Sequence, residues 1–133
     1  MKKIVLILLL LFSTNVFSQE FITDYDFESS INEKHAFGDS ENNIVVIEFW
    51  AKFNEANAFP DWKEIKGAKY FRVDIASAPN AKKKHRIRMA PTLIVFNNGT
   101  KETTFKAGLD LECPVDLEEL QEAIKEVQTA NKF

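Results

Sequence analysis

The chain has 133 residues, 45% of them hydrophobic and 28% charged, with four glycines, four prolines and a single cysteine. That composition excludes collagen-like, low-complexity and disulfide-scaffold proteins, and one cysteine cannot build a cysteine-based metal ribbon. A formal charge of −3 argues against general affinity for nucleic acid or an anionic membrane surface, and leaves one ordinary globular domain.

The amino terminus is set apart from that domain. Met1-Lys2-Lys3 forms a charged start, Ile4 to Phe12 an unbroken apolar run, and Ser13 to Ser18 a polar exit with Val16 and Ser18 at the small-residue positions before Gln19. This pattern predicts a cleaved signal peptide over residues 1–18 and a mature domain over 19–133. The apolar run is far below the ~20 residues a spanning helix needs, and no cysteine lies nearby to accept a lipid. A periplasmic or secreted protein follows, with no stable membrane insertion after cleavage. Loss of Lys2 and Lys3 moves the formal charge to −5 and leaves 115 residues. A domain of that size buries roughly two thirds of its unfolded surface, enough for one core without disulfides or metals.

Within the mature chain Asp26 is placed to cap a short helix from Phe27 to Lys34, stopping before Gly38. Ile44 to Trp50 is a β-branched and aromatic run, the pattern of a buried central strand. A second helix is expected from Asn54 to Lys66, presenting Ala58, Trp62 and Ile65 and ending at Gly67, followed by a strand from Tyr70 to Ile75. Two buried strands joined through a helix imply a parallel, right-handed βαβ unit. A third helix begins near Ser77 to Pro79 and carries Lys82 to Arg86, the larger part of a basic run from Lys82 to Arg88, before Ile87-Arg88-Met89-Ala90-Pro91. Thr92 to Phe96 and Glu102 to Lys106 then flank Asn97-Asn98-Gly99-Thr100, whose Asn-Gly pair supplies the positive φ angles of a tight hairpin. The last helix starts at Asp116 with Glu119 three residues on, and Leu117, Leu120, Ile124 and Val127 make one apolar stripe. The sum is a compact α/β sandwich.

Val46-Ile47-Glu48-Phe49-Trp50-Ala51, Ile87-Arg88-Met89-Ala90-Pro91-Thr92 and the hairpin ending at Gly108 together resemble the thioredoxin family in order and spacing, over about Phe21 to Val127. The resemblance implies a thioredoxin-like three-layer α/β sandwich, with a mixed sheet built from a parallel βαβ unit, an antiparallel hairpin and a C-terminal helix. In that family the strand ending Phe-Trp-Ala leads into Cys-x-x-Cys, and here those positions read Asn54-Glu55-Ala56-Asn57. Disulfide exchange needs a thiolate to attack and a second thiol to resolve, and asparagine supplies neither. Asn54 is expected instead as a helix N-cap. The resemblance further implies that Pro91 is cis and shapes a groove in which an extended segment pairs with backbone. It places Trp50, Phe53, Asn54, Asn57, Met89, Ala90, Pro91 and Gly108 around that groove. Glu48 matches the buried acid of the family and Arg72 a basic residue on the neighbouring strand, giving an expected structural ion pair.

Cys113 is the sole thiol. The topology allows it to approach the Asn54/Asn57 face, and its neighbours Asp110, Glu112 and Asp116 should raise its pKa. The basic run lacks interleaved aromatics and reads as a solvated helix face, with an acidic protein partner as the functional alternative. His35 and His85 stand alone, so no metal and no cofactor is expected. Asn98-Gly99-Thr100 is a glycosylation sequon that the hairpin already explains. The leading reading is a redox-inactive relative of proteins of cell redox homeostasis, acting as a protein- or peptide-binding scaffold near Pro91, with no nucleic acid among its partners. The alternatives are a single-cysteine thiol-disulfide oxidoreductase using Cys113 and a structural subunit of an envelope complex.

Overall fold

The computed structural model describes residues 20–32 and 42–130. The expected signal peptide, the end of the first helix with Gly38, and His35 lie outside the described residues. Along the chain come α1 (Phe27–Asn32), β1 (Ile44–Trp50), β2 (Lys69–Asp74), α2 (Pro79–Lys84), β3 (Thr92–Asn97), β4 (Thr100–Lys106) and α3 (Leu117–Ala130). The strands form one sheet in the order β2-β1-β3-β4. β1 runs parallel to β2 and antiparallel to β3, and β3 is antiparallel to β4.

Side-chain alternation along β1 sorts the core into two layers. Val45, Ile47 and Phe49 face α1 and α2, where they meet Phe27, Ile31 and Ala81. Ile44 and Val46 face α3, where they meet Leu120, Ile124 and Val127. A sheet covered on both faces explains why its central strands are buried along their length and mostly apolar, with Glu48 the buried exception in β1, instead of alternating with polar residues. Among the described residues, an isolated bridge from Phe21 to Arg72 meets the outer edge of β2, held by the Arg72 N–H to the Glu20 carbonyl and the Ile22 N–H to the Arg72 carbonyl. The opposite edge, β4, carries Lys101 and Lys106, charges that discourage edge-to-edge pairing.

The hairpin forms as read, with Asn98 at φ 53° and Gly99 at φ 80°, and β4 begins two residues earlier than expected because the turn itself needs only those two. Asp116 caps α3, its carboxylate accepting the Glu119 N–H at 2.8 Å. The expected helix from Asn54 to Lys66 is absent. The crossover between β1 and β2 contains two short 3₁₀ turns, Lys52–Asn57 and Trp62–Glu64, with Ala58 extended between them. Pro60 is the physical reason, since it has no N–H to donate and forces the residue before it away from helical geometry.

Candidate functional site at the cis-proline turn

β1 delivers the chain into the first 3₁₀ turn, and there Asn54 leaves helical geometry, at φ −122° and ψ 27°. The expected capping role does not hold: Ala51 occupies the cap position and no side chain caps the turn. The Asn54 amide is used elsewhere. Its Nδ2 donates to the carbonyl of Ala90 and to that of Leu111, both at 2.8 Å, while its Oδ1 accepts from Asn57 Nδ2 at 2.8 Å. One side chain therefore ties three segments, the turn after β1, the cis Ala90–Pro91 turn before β3, and the loop after β4. The Pro91 carbonyl accepts the Ala107 N–H, which binds the turn to the end of β4.

The expected groove residues divide. Asn54, Asn57, Ala90 and Pro91 are drawn together, but Ala90 is only 2% exposed and its carbonyl already accepts the Asn54 amide. Met89 is half-buried and its carbonyl accepts the Thr92 hydroxyl. Gly108 is exposed and starts the turn that ends at Leu111. Trp50 packs its ring edge against Phe21, 5.1 Å between centroids. Phe53, next to Asn54, is 77% exposed, and Leu109, two residues before Leu111, is 97% exposed. Leu109 and Leu111 did not feature among the expected residues, because a loop carbonyl 57 residues from its partner leaves no trace in a sequence pattern.

Beneath the crossover lies a buried polar cluster. Glu48 is wholly buried and pairs with Arg72 across the β1–β2 register, Arg72 Nε standing 3.2 Å from Glu48 Oε1. Tyr70, two residues earlier on the same face of β2, donates its hydroxyl to Glu48 Oε1 and accepts from Arg72 Nε at 2.8 Å. Phe59 completes the cluster through its backbone: its N–H meets the Glu48 carboxylate at 3.1 Å and its carbonyl accepts Arg72 Nη2 at 2.8 Å. The broken crossover thus frees the Phe59 N–H, which a helix would have consumed, for the buried acid. Burial pushes the Glu48 carboxyl above its ordinary pKa, outweighing the Tyr70 hydrogen bond, the Arg72 charge and the Phe59 N–H. Burial, followed by the Glu48 charge, pushes the Tyr70 phenol up as well, so it remains a proton donor. Period-two alternation along β2 places Tyr70 on the Arg72 face, a signal the sequence carries.

Cys113 is half-buried against the α3 layer, its thiol donating to the Val115 carbonyl at 3.3 Å. It opens onto a hollow with Phe59, Pro60, Asp61 and Glu119, while the loop residue that reaches Asn54 is Leu111. Its pKa is raised, chiefly by burial, with the charges of Glu48 and Asp61 adding and the Val115 contact and Arg72 opposing. The expected direction holds, but among acidic residues the contributors are Glu48 and Asp61 instead of the neighbours in sequence.

No family model and no curated protein match the chain. Solved structures do. A cysteine-to-serine mutant of Entamoeba histolytica thioredoxin superposes with a TM-score of 0.55 at 15% identity, covering 82% of this chain and 99% of that one. A Plasmodium falciparum thioredoxin gives a TM-score of 0.52 at 21% identity, covering 82% and 98%. At these identities the likeness is one of fold, and the fold is thioredoxin-like.

Proposed function

We propose that this thioredoxin-fold chain is an exported binding module that works without dithiol chemistry and docks an extended polypeptide at the face around Asn54 and Pro91. The observation that carries the reading is the Asn54 tie. At the place where a thioredoxin would present its first cysteine, the side chain is spent on holding the Ala90 and Leu111 carbonyls, so the position braces a surface. Two large apolar side chains, Phe53 and Leu109, stand exposed on two of the segments so braced. Rigid support beneath exposed apolar residues is what a docking face needs, because ordering costs are met before the partner arrives. The cis-proline turn contributes shape more than backbone pairing, since the Ala90 carbonyl is already engaged.

The single-cysteine reading finds less support. A thiol whose pKa is raised by burial carries little thiolate at neutral pH and attacks slowly. Export rests on the signal-like first eighteen residues, and intact mass of the exported protein is expected to start at Gln19.

The test is selection of extended peptides from a displayed library on immobilised mature protein. Selected peptides should bind Cys113→Ser as they bind the wild type and lose about tenfold or more on Phe53→Ser/Leu109→Ser. Peptides that depend on Cys113 and ignore Phe53 and Leu109 would overturn the reading in favour of thiol chemistry.

A further inference from the structure

α2 ends at Lys84, and two residues later the chain turns through Arg86 with φ 54°, inside the left-handed region. The Ile87 N–H bonds the Lys82 carbonyl at 2.9 Å and the Arg86 N–H the Lys83 carbonyl at 3.2 Å. These are the paired bonds of a Schellman ending, whose left-handed place is ordinarily given to glycine. An arginine there holds a backbone conformation that disfavours any side chain with a Cβ. It lines a hollow of about 320 Å³ together with Arg88 and Lys106, Thr92 and the apolar Ile87, Met89 and Ala107. Among the described residues the ion pairs are Arg72 with Glu48 and Lys84 with Glu28, so these three cations have no carboxylate of their own. The basic run expected to be one solvated helix face is therefore split. Lys82, Lys83 and Lys84 stay on α2, while Arg86 and Arg88 leave it and converge with Lys106 from β4.

We propose that this hollow is an anchoring site for the acidic side chains of an extended polypeptide, which names the partner class for the docking face and rests on that reading. Two guanidinium groups and an ammonium around one cavity suit carboxylates, which arginine binds in a bidentate fork. The apolar lining and the continuity with the proline turn favour a peptide over a free anion: Met89 and Ala107 line the hollow, and the Ala107 N–H bonds the Pro91 carbonyl. The mature chain is net negative, so the attraction is local: three cations lining one hollow draw a carboxylate that comes within about a Debye length of it.

The experiment is fluorescence anisotropy with a labelled peptide alternating glutamate and leucine, and with its glutamine-for-glutamate counterpart, on the mature protein. The acidic peptide should bind about tenfold more tightly than the neutral one, with an affinity that falls as salt is added. Arg86→Gly should weaken the acidic peptide about tenfold while raising the melting temperature by about 4 °C, because glycine fits the left-handed place. Arg88→Gln and Lys106→Gln should weaken binding without the thermal gain. Equal binding of the two peptides, or an Arg86→Gly protein that binds the acidic peptide undiminished, overturns the acidic class. The docking face itself survives that result if Phe53→Ser/Leu109→Ser still abolishes binding of both, and fails with it if neither peptide responds. Inorganic phosphate or a single-stranded oligonucleotide displacing the peptide from the hollow at equal or lower concentration also overturns the proposal.

Discussion

Glu48 shows how much one side chain can organise. Its Oε1 takes the Tyr70 hydroxyl, Arg72 Nε and the Phe59 N–H, so removing it orphans the hydroxyl and the N–H and leaves a buried guanidinium, still bonded to Tyr70 and the Phe59 carbonyl, without its counter-charge. Glu48→Leu is expected to cost about 3–5 kcal/mol by denaturant titration, the range for leaving a buried charge unpaired. Glu48→Gln keeps an oxygen for the Tyr70 hydroxyl but leaves the same guanidinium without a counter-charge, so it too should lose much of that stability, and a Glu48→Gln protein as stable as the wild type would contradict the buried pair. The two differ from wild type in pH dependence too. Because the folded carboxyl has a raised pKa, the folded state binds a proton more readily than the unfolded one. The Glu48 contribution to stability is then fullest below the unfolded value near 4.5 and declines as pH rises through the folded pKa, a slope that Glu48→Gln should abolish. His85 works in the opposite sense. It packs among the rings of Phe27, Phe49 and Phe96, and burial, helped by Lys101 and Lys84 against Glu28, lowers its pKa. The unfolded state takes up the proton first, so this contribution is lost as pH falls below about 6.5 towards the folded value. His85→Phe should flatten acid unfolding in that window. A slope unchanged by the substitution would place the titrating group elsewhere.

At the scale of elements, the strands were legible and the crossover was not. Ile44 to Trp50 and Thr92 to Phe96 announce themselves by composition, and the Asn98-Gly99 turn by the φ angles it requires. Ala58, Trp62 and Ile65 have helical spacing, yet one proline outweighs it, and the broken segment then serves the Glu48 cluster through the Phe59 backbone. Helical periodicity describes which side chains are apolar and says nothing about where a freed N–H will go. The sequence marks Asn54 as the expected counterpart of the family's first cysteine, but its partners were hidden, since both are carbonyls of distant turns. Asn54→Asp replaces a donor by a charge facing two carbonyl oxygens and should cost about 2–3 kcal/mol. Hydrogen exchange should show the loosening at the loop from Gly108 to Leu111 and the turn at Ala90, with β1 and β3 unaffected. Uniform loss of protection across the sheet would mean that Asn54 supports the global fold and not those turns.

Across the whole molecule, the sheet with helices on both faces is an ordinary scaffold, and what distinguishes this chain is the chemistry at one end of it. A fold of this type hosts many activities, so function must be argued from the site. Here the site has the linked Asn54 and Asn57 amides, a braced proline turn, exposed Phe53 and Leu109, and a hollow of cations that have no ion pair among the described residues. The sole thiol lies in another hollow, among Phe59, Asp61 and Glu119, with its pKa raised by burial. Alkylation of Cys113 in the folded protein should accordingly be slow, with a midpoint above that of the denatured chain. The measurement that bears most directly on the central claim is amide chemical-shift mapping of the isotope-labelled mature protein with a display-selected peptide. Shifts gathered at Phe53 and Asn54, Arg86 to Ala90 and Ala107 to Leu111 are the expected result. Shifts centred on Cys113 and Glu119, with the amides around Asn54 and Ala90 silent, would contradict a docking face at the proline turn.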